Sequence, residues 1–275
     1  MNMRERVYLF GSDGGLVGVS TEPSTLDADR PAVLLLNAGL LHHVGQNRLS
    51  VTLARALGEL GWFTFRFDIS GVGDSVTRKT AKPIQERSID EIREAMDFLQ
   101  QRRGINRFVL YGLCTGADNA FRAAVADERV CGAVLLEGYA YPTRRYYLNR
   151  YLPKLISSSF WQGKIARSLK TAGRAEDEGT YGDVSYHWIL PSKEQVEKDL
   201  KTLISRDVSL MMVFAGSNSQ YNYPTQFCES FPGLEFSDRL QVEYFAKGDH
   251  NFSLGSDREN LVNLIGAWIE QSIRY

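Results

Sequence analysis

The sequence has little with which to staple a fold: three cysteines among 275 residues. Cys114, Cys131 and Cys228 leave an odd count, which excludes a disulfide framework, and their spacing matches no zinc motif. A dominant charge is lacking too. Thirty-two Lys and Arg stand against 33 Asp and Glu, and a net charge of -1 argues against a general nucleic-acid binder. No apolar run is long enough to span a bilayer. The start, Met-Asn-Met-Arg-Glu-Arg, leads into a short alternating strand rather than the apolar core of a signal peptide. Internal repeats and low-complexity tracts are missing. A soluble cytoplasmic protein of a reducing compartment is expected, with enough apolar material for one full core.

What is present is organised around Gly112-Leu113-Cys114-Thr115-Gly116. Arg107–Tyr111 before it reads as a buried parallel strand, and the alanine-rich stretch 117–127 after it as a helix. Strand, small-x-nucleophile-x-small, helix is the pattern of a nucleophile elbow. Glycines flank the nucleophile because the turn is too sharp for neighbouring Cβ atoms.

Along the chain, Arg4–Phe10 and Leu16–Thr21 predict a hairpin around a glycine-rich turn. Ala32–Asn37 and Trp62–Phe67 predict strands, with an amphipathic helix over 47–61 between them. Ser88 with Glu91 predicts a capping box for a helix to Gln101. Strands follow at 132–136, 210–214 and 240–245, and a last helix at 258–273. This alternation predicts an α/β chain with a mostly parallel sheet covered on both faces. It is interrupted at 139–206, where aromatic and aliphatic residues at helical intervals predict an inserted helical lid within the single domain 1–275. Ser192 with Gln195 caps a helix through Leu203.

The elbow, the segment Phe67-Asp68-Ile69-Ser70-Gly71-Val72-Gly73-Asp74-Ser75 and the terminal Gly248-Asp249-His250-Asn251-Phe252 together resemble the α/β-hydrolase superfamily. More locally, Asn37-Ala38-Gly39-Leu40 and the Arg144-Arg145-Tyr146-Tyr147-Leu148 stretch resemble hydrolases found beside exosortase systems. A cysteine at the elbow is also similar to dienelactone hydrolases, polyhydroxyalkanoate synthases and carrier-protein acyl shuttles. The resemblance implies acyl transfer. Cys114 would attack a carbonyl as thiolate, favoured by the helix N-terminus and a neighbouring imidazolium. His250 is the base, placed between a strand and the last helix. Backbone amides of Leu40 and Thr115 would form the oxyanion hole.

The third catalytic position is open. The loop after strand 210–214 carries no carboxylate but has Asn218, which could orient His250 by its amide oxygen. Glu137, at the end of the preceding strand, could reach it instead. Asn218 is favoured slightly, because its loop follows the strand where the superfamily most often keeps this residue. Asp249 is expected to hold its own loop.

His42, Tyr146 and Trp161 are candidates to touch substrate. From Pro142 to Ala175 there is no acidic residue, yet eight cations, Arg144, Arg145 and Arg150 among them. That asymmetry points to docking of a coenzyme A arm or an acidic carrier protein, or to a solvated basic face. Three functions follow: hydrolysis of an ester or thioester substrate, transfer of the acyl group to another acceptor, and non-catalytic binding. No cofactor and no metal is implied.

Overall fold

The computed structural model of the chain describes residues 3–27, 29–156 and 190–274. The apolar runs form one eight-stranded sheet: β1 (Arg4–Phe10), β2 (Leu16–Glu22), β3 (Ala32–Leu35), β4 (Thr64–Phe67), β5 (Phe108–Leu113), β6 (Val130–Leu136), β7 (Ser209–Ala215) and β8 (Leu240–Phe245). Their order is β1-β2-β4-β3-β5-β6-β7-β8. The β1–β2 hairpin joins antiparallel to β4, and every other pairing is parallel.

Strands β3 to β7 are buried on both faces because helices cover both. Alternation of side chains divides the core accordingly. Val33, Leu35, Val109, Tyr111 and Met211 meet helices α1 (Leu49–Glu59) and α7 (Gly255–Ser272). Leu34, Leu110, Leu135 and Met212 meet α2 (Ile84–Arg103), α3 (Thr115–Ala126) and α5 (Lys193–Ser205) on the other side. Helix α4 (Arg144–Ile156) follows β6, and the short α6 (Gln226–Ser230) precedes β8.

Two helix starts near the site differ from expectation, and a third is kept. Helix α2 starts at Ile84, behind Pro83, whose carbonyl accepts from the Glu86 and Arg87 amides. Ser88 and Glu91 are therefore not a capping box: Ser88 Oγ donates to Ile84 O inside the helix at 2.7 Å. Glu91 is buried and accepts from the Ser70 amide at 2.8 Å. Helix α3 begins at Thr115, directly behind the nucleophile candidate. Helix α5 keeps its predicted cap, Ser192 Oγ accepting from Gln195 N at 3.2 Å. Its buried stripe of Val196, Leu200 and Leu203 joins the sheet core beside α3. Each such side chain contributes about 1.5–3 kcal/mol on burial. Of the span 139–206 expected as an inserted lid, α5 is thus the crossover helix from β6 to β7. Residues 157–189, including Trp161, lie outside the described residues. No described helix is long and apolar enough to cross a membrane.

Candidate active site

The turn from β5 into α3 is as tight as the glycine pattern requires. Cys114 has φ 55 and ψ -118, a conformation L-residues rarely adopt. Such strain costs on the order of 1–3 kcal/mol and must be held by its surroundings. Here the Cys114 amide donates to Leu136 O at 2.8 Å, and its carbonyl accepts from Ala117 N at 2.9 Å. A Cβ on Gly112 would stand 2.0 Å from Gly116 O, and one on Gly116 would stand 2.5 Å from Asn37 O. Both glycines are obligatory on steric grounds alone.

His250 reaches the cysteine from the loop between β8 and α7. Asp249 holds that loop by accepting from the Asn251 amide at 2.9 Å and the Ser253 amide at 3.0 Å. The half-exposed imidazole is pushed up to about 10 in pKa, first by its hydrogen bond with Cys114 and then by that with Glu137, against desolvation. Nδ1 faces Glu137 Oε2 at 3.4 Å, which leaves the other ring nitrogen to serve the sulfur.

Glu137 sits one residue past β6 with φ 54. Its carboxylate is fixed by three donors: the Ala215 amide, Asn218 Nδ2 at 2.8 Å and His250. This reverses the preference for Asn218 as the residue that orients the imidazole. Asn218 stands one step back, donating to Glu137 and accepting from Gln220 N at 2.9 Å. The physical reason is topological. Strands β6 and β7 are parallel neighbours, so their ends lie side by side, and the longer Glu side chain covers the remaining gap.

The Leu40 segment approaches the elbow as expected. Gly39, at φ 59, donates its amide to Thr115 Oγ1 at 2.5 Å, which pins the loop to the start of α3. Neither the Leu40 nor the Thr115 amide is spent on an acceptor among the described residues. Asn37 braces the loop from below, donating to Leu41 O at 2.7 Å and Asp68 Oδ1 at 2.8 Å.

A cavity of about 370 Å³ opens on Cys114 and His250, floored by Gly138 and Ala140 and walled by Ser217–Gln220. Of the residues expected to touch substrate, His42 is turned away: its Nε2 lies 3.0 Å from Asp74 Oδ2, and it does not line the cavity. Tyr146 is buried behind the wall, its hydroxyl donating to Ser219 O at 2.5 Å. Arg145 pairs with Glu229 at 3.3 Å and lies over the Tyr223 ring, while Arg150 donates to Ser219 O at 2.6 Å. Arg144 is exposed and away from the cavity. The wall residues Ser217, Ser219 and Gln220 escaped sequence analysis; the polar run following an apolar strand was their only signal.

A family profile described as alpha/beta hydrolase fold matches residues 31–160. No curated protein matches the sequence. Among solved structures, dienelactone hydrolase from Anabaena variabilis is similar at 12% identity, covering 100% of both chains with a TM-score of 0.60. An α/β serine hydrolase without lid from Xanthomonas campestris is similar at 17% identity, over 100% of this chain and 97% of that one, with a TM-score of 0.58. Est1E from Butyrivibrio proteoclasticus is similar at 13% identity, over 97% and 98%, with a TM-score of 0.61. This chain has the α/β-hydrolase fold. Within that fold the elbow lies at the C-terminal edge of the parallel strands, where open α/β sheets bind ligands. The cluster of Cys114, His250 and Glu137 stands there, at the ends of β5, β8 and β6.

Proposed function

We propose that this chain is an acyl-transfer enzyme working through an acyl-thioester on Cys114, with hydrolysis of an ester or thioester as its net reaction. The carrying observation is His250 standing between the strained Cys114 and the buried Glu137. In the first half, Cys114 Sγ as thiolate attacks the acyl carbon and the carbonyl electron pair moves onto oxygen. The Leu40 and Thr115 amides receive that oxyanion; one such donor is worth about 3 kcal/mol of barrier. Collapse of the adduct expels the alcohol or thiol, which takes the proton held by His250. In the second half, neutral His250 removes a proton from water, hydroxide oxygen adds to the thioester carbon, and the thiolate leaves opposite a restored imidazolium. Glu137 keeps the ring oriented throughout and is a positioning residue.

Intact-mass measurement after mixing with an activated ester tests this. The native chain should gain one acyl group, lost again on standing; Cys114→Ala should gain none and lose turnover. Turnover surviving in Cys114→Ala would overturn the proposal. Adding amines, thiols and alcohols in the same experiment separates hydrolysis from transfer, because acyl-thioesters yield readily to such acceptors. The cation-rich, acid-free stretch 142–175 that follows β6 supports an anionic arm on the acyl donor, as on coenzyme A or an acidic carrier protein. Arg144→Glu should then raise KM for a coenzyme A thioester and leave a small ester indifferent.

A further inference from the structure

The loops that follow β3 and β4 bring together four side chains that the proposed chemistry does not use. His42 and His43 come from the first loop, Asp68 and Asp74 from the second, and one donor atom from each lies within 4.8 Å of all the others. His43 Nδ1 is 2.7 Å from Asp68 Oδ2, His42 Nε2 is 3.8 Å from the same oxygen, and His42 Nε2 is 3.0 Å from Asp74 Oδ2. Zinc bound at about 2.0–2.2 Å to four tetrahedral ligands sets those ligands roughly 3.3–3.6 Å apart. The observed spacings bracket that edge, so only small side-chain shifts separate this arrangement from a coordination shell.

We infer that His42, His43, Asp68 and Asp74 form a binding site for a divalent transition-metal ion of the zinc type. The ligand chemistry selects the class. Two imidazoles with two carboxylates suit zinc and its neighbours, whereas magnesium and calcium take oxygen alone. Two carboxylates beside two neutral histidines also match the charge of the ion.

The supporting shell is already built. Asp68 is fully buried, and its Oδ1 accepts from Asn37 Nδ2 at 2.8 Å and His43 N at 2.6 Å. These donors leave Oδ2 aimed at the cluster, where the Asp74 amide also reaches it at 3.1 Å. Outer-shell bonds of this kind fix metal-ligating carboxylates. A Cβ on Gly73, at φ 55, would stand 2.3 Å from that oxygen, so glycine there is what lets Asp68 take its place. The opposite side is open: His42 and Asp74 side chains are 40% and 62% exposed, which gives an ion its way in. An ion here would tie the loop carrying Leu40 to the 68–75 turn. It would thus act on the shape of the oxyanion loop and take no part in bond making.

The site stands whether or not Cys114 is the nucleophile, and its test reads metal directly. Titrating the full chain, stripped with chelator, with Co²⁺ should give one equivalent bound, with visible d–d bands of tetrahedral intensity that Zn²⁺ abolishes. His42→Gln and Asp74→Asn alter exposed residues, and each should weaken binding at least about tenfold. Cys114→Ala and His250→Gln, which remove the cysteine–histidine pair of the active-site cavity, should leave the titration unchanged. Failure of the native chain to bind overturns the inference. So does binding that survives both His42→Gln and Asp74→Asn, or binding lost in Cys114→Ala.

Discussion

Replacing Glu137 by Gln removes one charge and reverses one hydrogen bond in the same step. Glu137 offers one oxygen to the Ala215 amide and the other to Asn218 Nδ2 and His250 Nδ1. A Gln carbonyl can satisfy only one of those two places. Its NH2 must then face either the Ala215 amide or the Asn218 and His250 donors, donor against donor. Losing a hydrogen bond to a charged group costs about 1.5–3 kcal/mol, or roughly 10- to 150-fold in rate. Loss of the triad carboxylate in a serine enzyme costs about 10⁴. The lower range is expected here, because the Glu137–His250 contact is long at 3.4 Å and a thiolate–imidazolium pair is favourable without help.

The pH dependence distinguishes a positioning role from a merely structural one. His250 is held cationic up to about 10 by Cys114 first and Glu137 second, against about 6.5 in an unfolded chain. A raised histidine stabilises the fold fully below the unfolded value, and that contribution is lost as pH climbs through the folded one. Solvent screens part of it, since the His250 side chain is 46% exposed. Glu137→Gln removes the second cause, so the alkaline limb of kcat/KM should move to lower pH. The measurement is ester turnover from about pH 6 to 11, with the His250 ring proton followed by NMR. A rate within twofold of native and an unmoved limb would refute the role given to Glu137.

Asn218→Ala removes one of three donors to Glu137 and should cost only about five- to tenfold in kcat/KM, less than Glu137→Gln. Gly116→Ala drives a Cβ to 2.5 Å from the Asn37 carbonyl and should lower stability by more than about 2 kcal/mol, read as a drop in Tm. Iodoacetamide should label Cys114 ahead of Cys131 and Cys228, since burial pushes both of those thiols up, and peptide mapping reads the order.

The strands and the elbow were legible because each is a local pattern: an apolar run, two glycines at fixed offsets, a helix behind them. His250 was legible by its place between the last strand and helix. Which of Glu137 and Asn218 faces its ring was not, because the two are 81 residues apart and only the pairing of β6 with β7 sets them side by side. The Ser88–Glu91 pattern misled for a related reason. The motif is short enough to arise inside a helix, and Pro83, directly before Ile84, sets the helix start instead. The His42, His43, Asp68 and Asp74 group shows the same limit. Neither half has ligand spacing of its own, and the parallel pairing of β3 with β4 brings the two loops together.

With Glu137, after β6, facing His250, the β7 loop lines the cavity wall, and α4 holds that loop. Ser219 O accepts from the Tyr146 hydroxyl at 2.5 Å and from Arg150 Nη1 at 2.6 Å, so two residues of α4 clamp one carbonyl of the cavity wall. The clamp touches neither Cys114 nor His250, and loosening it should change which acyl groups fit rather than how fast a fitted one reacts. Tyr146→Phe removes one of the two donors and leaves the ring in its buried place. A series of esters of rising acyl length should then show a shift of about three- to tenfold in relative kcat/KM, the worth of one neutral hydrogen bond. Acylation of Cys114 by the smallest ester should stay at the native rate. An equal loss across the series would mean that Tyr146 supports the catalytic geometry itself, and the division between wall and chemistry would fall.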